Sequence, residues 1–240
     1  MRVGLFFTCL VDQLFPRVGA RTLQLLRLVG LEVVVDPRGV CCGQPAFNTG
    51  FTAEARRVAR GLLDCWDDCD AVVAPSGSCV AMIRHHLLEL FEDDPALKDT
   101  ARSLAERTWE LSDFLVNRLG ITDVGARFSH VVTYHDSCHT LRELRIEKEP
   151  RLLLQEVRDL ELVEMNDGNA CCGFGGTFAV KFPDISSAIG NEKVRSIKAT
   201  GAQFVVGGDV SCLMHIGGLL QRAALPIRPL HLAEVLTESS

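Results

Sequence analysis

Glu32-Val33-Val34-Val35-Asp36 leads to Cys41-Cys42-Gly43, and Glu161-Leu162-Val163-Glu164-Met165 leads to Cys171-Cys172-Gly173. Each is a short apolar run between acidic residues, then two vicinal cysteines and a glycine. Outward from these pairs the order is the same. A lone cysteine precedes each, Cys9 and Cys138, and another follows, Cys79 and Cys212. Matching cysteines are separated by 129 (9 to 138), 130 (41 to 171) and 133 (79 to 212) positions, a drift small enough to read as one duplicated unit with minor loop changes.

The surroundings repeat as well. Residues 2–7 and 130–134 are β-rich apolar runs ahead of the first cysteine of each series. Ala71-Val72-Val73-Ala74-Pro75 leads to Ser78-Cys79, and Phe204-Val205-Val206-Gly207-Gly208 leads to Ser211-Cys212. Glu110-Leu111-Ser112-Asp113-Phe114-Leu115 resembles His231-Leu232-Ala233-Glu234-Val235-Leu236 near the two ends.

Between the short runs lie segments of helical period: 21–29, 53–66 (with Ala55, Val58, Ala59 and Leu62 on one side), 80–91 and 186–199. Strands alternating with helices predict an α/β protein of two pseudo-symmetric repeats. Each is a small parallel sheet of roughly three strands with crossover helices. The expected domains are 1–120 and 130–240, joined through residues 119–129, where Gly120 and Gly125 interrupt the pattern. Every cysteine of the series falls just after a strand or at the start of a helix, and the carboxyl ends of parallel strands are where such sheets bind ligands.

Composition excludes other classes. Across 240 residues, 47% hydrophobic and 23% charged is the balance of a globular protein, and a net charge of -6 without a basic stripe argues against nucleic acid or an anionic membrane surface. No stretch is apolar for long enough to be a membrane span, and the N-terminus lacks an export signal. A cytoplasmic location is expected, and there the 10 cysteines are metal ligands or redox thiols rather than structural disulfides.

Four thiolates per half, Cys9, Cys41, Cys42 and Cys79, then Cys138, Cys171, Cys172 and Cys212, match the donor count of a [4Fe–4S] cluster. Soft sulfur also suits zinc, which stands as the alternative in at least one half. Gly43 and Gly173 leave the backbone free to turn or to approach a bulky inorganic group. Cys65 and Cys69 have no counterpart in the second half and, four apart on a helix, read as core. His135 and His139, flanking Cys138, are candidates for stabilising thiolate charge or for ordinary hydrogen bonding. Gly173-Phe174-Gly175-Gly176 lacks both the dinucleotide and the nucleotide-loop signatures and is expected to pack around the cysteine pair.

This doubled pattern resembles the CCG (cysteine-rich) domain family, which includes the cysteine-rich component of heterodisulfide reductase and related iron–sulfur proteins. The resemblance covers the whole chain. The family pattern ends in Cys-x-x-Cys; here Met82 and His215 stand at the last position, three residues after Cys79 and Cys212. Met82 reads as packing. His215 is a candidate metal ligand, since imidazole can replace a thiolate on iron; a buried histidine behind the ligands is the alternative. Pro75-Ser76-Gly77-Ser78-Cys79, His135-Asp136-Ser137-Cys138-His139 and Cys171-Cys172-Gly173-Phe174-Gly175-Gly176 are most similar to the lactate-utilisation branch of the family. That resemblance implies an electron-transfer subunit with one or two [4Fe–4S] clusters, not a complete enzyme alone. It also implies oxidation of L-lactate to pyruvate, with a ferredoxin-like iron–sulfur protein and a further small subunit as partners. Thiol–disulfide redox chemistry and a zinc-stabilised scaffold remain as alternative functions.

Overall fold

The computed structural model describes residues 1–238; the last two residues of the expected second domain, 239 and 240, lie outside them. The chain divides into two compact units, Met1–Phe114 and the remainder from Leu115. The first holds strands β1 (Arg2–Leu5), β2 (Glu32–Val34), β3 (Ala71–Ala74) and β4 (Thr108–Glu110) in the order β2-β1-β3-β4. The second holds β5 (Val131–His135), β6 (Glu161–Leu162), β7 (Phe204–Gly207) and β8 (Arg228–His231) in the order β6-β5-β7-β8. Every pairing is parallel. The pseudo-symmetric α/β architecture expected from the repeat is therefore present, with four strands per sheet rather than three. The additional strands, β4 and β8, lead into the two similar end segments, which they overlap at Glu110 and His231. Each is only three or four residues long, and Pro229 within β8 masks the strand signal, although an edge position tolerates it.

Burial explains the sequence of the central strands. Every residue of Ala71–Ala74 and of Phe204–Gly207 is buried. Crossover helices cover both faces of parallel sheets, so such strands read as unbroken apolar runs rather than alternations. In the first unit the helices Pro16–Leu28, Thr52–Leu63 and Pro95–Arg107 do the covering; in the second, Pro183–Ala199 and Val210–Arg222 do. Pro16, Pro95 and Pro183 each occupy the first helical position, where the missing N–H costs nothing.

Two details differ from the periodicity. The helix expected over 53–66 stops at Leu63, so Cys65 and Cys69 sit in the turn beyond it rather than on one helix face; both are nonetheless buried. Cys65 Sγ donates to Gly61 O at 3.1 Å, which ties the turn to the helix end. Val58, expected inward with Ala55, Ala59 and Leu62, is exposed. Ala55, Ala59 and Leu62 form an i, i+4, i+7 stripe that fills the interface without it.

At the end of β4 the fully buried Glu110 caps the next turn, its Oε2 accepting from the backbone N–H of Ser112 at 2.7 Å and of Asp113 at 3.2 Å and from the Ser112 hydroxyl. Burial outweighs these bonds and pushes its carboxyl up to about 7 from an ordinary 4.5. The neutral form is the one the fold favours. That contribution is complete below pH 4.5 and is lost as pH rises through 7. Urea titrations at pH 5 and pH 8 should show Glu110→Gln losing less stability than the native chain over this interval, by about 3 kcal/mol. Parallel losses in both proteins would show that Glu110 does not carry the pH dependence. Among the described residues no helix is long and apolar enough to cross a membrane.

Candidate metal centres

In a sheet ordered β2-β1-β3-β4 the chain leaves β1 to one side and returns to the other, so a crevice opens between the carboxyl ends of β1 and β3. Cys9 opens the helix Cys9–Leu14 just after β1, and Cys79 lies in the first turn of the helix Gly77–Ala81 after β3. Cys41 and Cys42 lie in the loop after β2. The second unit repeats this: Cys138 follows β5, Cys212 lies in the first turn of Val210–Arg222 after β7, and Cys171 and Cys172 lie in the loop after β6. Three residues before Cys79 and Cys212 stand the N-caps Ser76 and Asp209; Ser76 Oγ accepts from the Cys79 N–H at 3.4 Å and Asp209 Oδ1 from the Ser211 N–H at 3.0 Å. The crevice is thus placed by topology and its helix ends by capping.

The four thiols of each unit form a ladder. Cys41 sulfur accepts hydrogen bonds from the thiols of Cys42 and Cys9, helped by the Gly43 N–H at 3.5 Å, and its pKa falls to about 3. Cys42 and Cys9 are raised correspondingly, because each is held as the donor; Cys42 also contacts Cys79. In the second ladder Cys171 is the acceptor, from Cys138 and Cys172 and from the Gly173 N–H at 3.3 Å, and is lowered to about 2, while Cys138 and Cys172 are raised. Cys212 is lowered to about 6 by Cys172 and, against burial, by His135. Both ladders bring together every cysteine singled out by the repeat.

Crowded thiols of this kind cannot all ionise without a cation to offset their repulsion, and each deprotonated sulfur is a soft donor. The residues present therefore fit a thiophilic metal centre in each unit, held by Cys9, Cys41, Cys42 and Cys79 and by Cys138, Cys171, Cys172 and Cys212. The glycine after each pair serves the protein backbone. Gly43 and Gly173 adopt φ of +85° and +90°, and a Cβ there would fall 2.8 Å from Ala55 O and 2.4 Å from Ser186 O. The cysteine loop thus packs directly on the backbone of the following helix, leaving no room for a side chain.

The second centre is braced by buried charged side chains. Asp136, between His135 and Cys138, is buried and takes a bidentate bond from Arg151 (2.9 and 2.8 Å), which also holds Glu164 at 2.7 Å and lies over the Tyr134 ring. Lys193, 1% exposed, donates to Asp167 O (2.6 Å) and Gly168 O (3.0 Å), pinning the loop ahead of the cysteine pair. Burial lowers its pKa, against the pull of Asp136 and Cys172. His139 Nδ1 lies 3.6 Å from Cys138 Sγ.

His215 Nε2 is 3.4 Å from Ser186 Oγ, and its ring faces Phe174. Met82 is fully buried. The ligand atoms of His135, Cys172 and Cys212 all lie within 4.8 Å of one another, the one such group of three among the described residues.

The cysteine-rich domain (CCG) family matches this chain over residues 3–84 and again over 132–217, one match on each ladder. The chain belongs to the CCG family. Within it, the chain is similar to the Lactate utilization protein A of Bacillus pumilus, 46% identical and covering 98% of this chain and 99% of the relative. The proteins of that name from Exiguobacterium sp. and Bacillus subtilis are 47% and 45% identical, covering 98% of this chain and 97% and 99% of theirs. A Helicobacter pylori protein of solved structure, described as hypothetical, has the same fold at a TM-score of 0.63 and 11% identity. It is covered over 49% of its length by the whole of this chain. In this CCG chain, Asp136, Arg151 and Lys193 are the supporting residues that sequence reading passed over. A lysine within an amphipathic helix carries no signal that it is buried.

Proposed function

We propose that the chain is the iron–sulfur electron-transfer subunit of a cytoplasmic multiprotein oxidoreductase that converts L-lactate to pyruvate. The observation that carries this reading is the pair of four-thiol ladders, each drawn from three strand ends at a switch-point crevice. When bound there, a [4Fe–4S] cluster supplies one-electron redox chemistry. Each repeat, 1–120 and 130–240, would hold one such centre.

The chain's own residues hold the sulfurs in place, exclude water from Cys42, Cys79, Cys172 and Cys212, and fix the second loop through Lys193 and the Arg151 bridge. Oxidation of L-lactate to pyruvate releases two electrons and two protons; clusters held by these cysteines would supply the one-electron carriers between that reaction and a ferredoxin-like iron–sulfur partner, with a further small subunit completing the assembly. The similarity to proteins named for lactate utilisation supports that substrate. A ligand set of free thiols supports a reducing compartment. The test is the assembled complex with and without this chain, purified anaerobically. Loss of L-lactate-dependent reduction of the iron–sulfur partner is expected when the chain is omitted; undiminished reduction would end the assignment.

A further inference from the structure

The two centres are built on one topology but not from the same side chains. With Cys9 aligned to Cys138, His135 takes the place of Phe6, Thr133 that of Gly4, Ser137 that of Thr8 and Thr140 that of Val11. Where the first repeat is mostly apolar beside its cysteines, the second is polar throughout. All four residues of the second set are buried. Thr133 Oγ1, Ser137 Oγ and Thr140 Oγ1 are without a hydrogen-bond partner among the described residues, and the His135 ring reaches the Cys212 sulfur. Leaving one such group unpaired costs about 1–3 kcal/mol, so several in one short segment point to a bound group that satisfies them.

His135 is 1% exposed and ends β5, paired in register with Gly207 of β7. That register sets its ring at the mouth of the crevice, on the same side as Cys212 two residues into the helix after β7. Its ligand atom lies within 4.8 Å of the sulfurs of both Cys172 and Cys212, and those two lie equally close to each other. Three soft or borderline donors converging within this distance are placed to bind at one metal centre. Phe6 offers no donor to the first ladder.

We propose that His135 is a nitrogen ligand of the second metal centre, beside Cys172 and Cys212, so that the second centre is a mixed sulfur–nitrogen site and the first is sulfur-only. Imidazole is neutral, so both centres carry four thiolates and differ by the one added nitrogen donor. This inference rests on the metal-centre reading of the ladders and goes beyond it in naming a ligand outside the cysteine series.

The experiment uses the full chain carrying Cys42→Ser to disable the first site, labelled with ¹⁵N-histidine and reconstituted anaerobically with iron and sulfide. Pulsed EPR of the reduced protein should show a ¹⁵N coupling of the strength of a directly bound imidazole. It should vanish in His135→Phe, which copies the first repeat, and persist in His139→Ala and His215→Ala. If His135→Phe does not fold, His135→Cys supplies the comparison: it should retain iron, lose the nitrogen coupling and shift to a lower reduction potential. A coupling absent from the unsubstituted chain, weak enough for a hydrogen bond only, or surviving the loss of His135 overturns the proposal. Failure to take up iron would instead sink the iron–sulfur reading, and cobalt(II) would then be loaded in its place. Its visible ligand-field bands must shift between native and His135→Cys protein for the ligand assignment to stand; unshifted bands reject it.

Discussion

Cys172→Ser is expected to abolish the second centre while leaving the first intact. Cys172 is the interior rung of its ladder, 3% exposed and bonded to both Cys171 and Cys212. Serine keeps its shape but offers a hard, weakly acidic oxygen in place of a soft thiolate, and a buried ladder cannot recruit solvent as a substitute ligand. Iron analysis after anaerobic reconstitution should fall from about eight per chain to about four, since each [4Fe–4S] cluster carries four. Cys42→Ser should remove the other four, and the double variant should bind none. Unchanged iron in both single variants would mean that the ladders are thiol-packed core rather than metal sites. Loss on one substitution alone would leave a single working centre.

Gly173→Ala should be the most damaging of three glycine substitutions in the cysteine loops, the others being Gly43→Ala and Gly176→Ala. Its φ of +90° is a conformation that L side chains rarely adopt, at a cost of about 1–2 kcal/mol. The added Cβ would also lie 2.4 Å from Ser186 O and 3.0 Å from Gly190 N, backbone atoms of a helix that cannot move aside cheaply. Overpacking of this kind adds about 1–3 kcal/mol, so a total loss of about 2–5 kcal/mol is expected. Gly176→Ala is the matched comparison: φ is +63°, nothing lies within 4 Å, and only the conformational part applies. Gly43→Ala, 2.8 Å from Ala55 O, should fall between them. Chemical denaturation of the three variants gives the ranking directly. Equal losses at Gly173 and Gly176 would show that contact with the helix backbone is not what fixes the residue.

Much of this architecture is legible in one dimension because duplication makes it so. The offsets between Cys9 and Cys138, and between Cys79 and Cys212, mark the strand ends, and the unbroken apolar runs at Ala71 and Phe204 mark the buried central strands. The edge strands β4 and β8 are harder. Three or four residues, one of them Pro229, give too short a window for a period, and their pairing depends on a neighbour distant in the chain. The helix end at Leu63 is hidden because Cys65 and Cys69 continue a helical spacing past the point where the backbone turns, with Trp66 at φ 60°.

Around the second centre the limit is convergence. His135, His139 and His215 look alike in sequence, each a few residues from a cysteine. What separates them is the register of β5 against β7, which carries His135 toward Cys212, and the face of Val210–Arg222 that turns His215 toward Ser186. Lys193 and Arg151 are likewise invisible as supports, because the loop carbonyls of Asp167 and Gly168 and the carboxylates of Asp136 and Glu164 lie 13 to 26 residues from them.

Each ladder also has an outer and an inner side. Cys9, Cys41, Cys138 and Cys171 reach solvent in part, whereas Cys42, Cys79, Cys172 and Cys212 are walled off by the sheet and its helices. Chelators, oxidants and alkylating reagents must therefore approach either centre from the same edge, and damage in air starts at the outer thiols. The inner pair, shielded until then, would be the last to let go of iron and the natural place for rebuilding to begin.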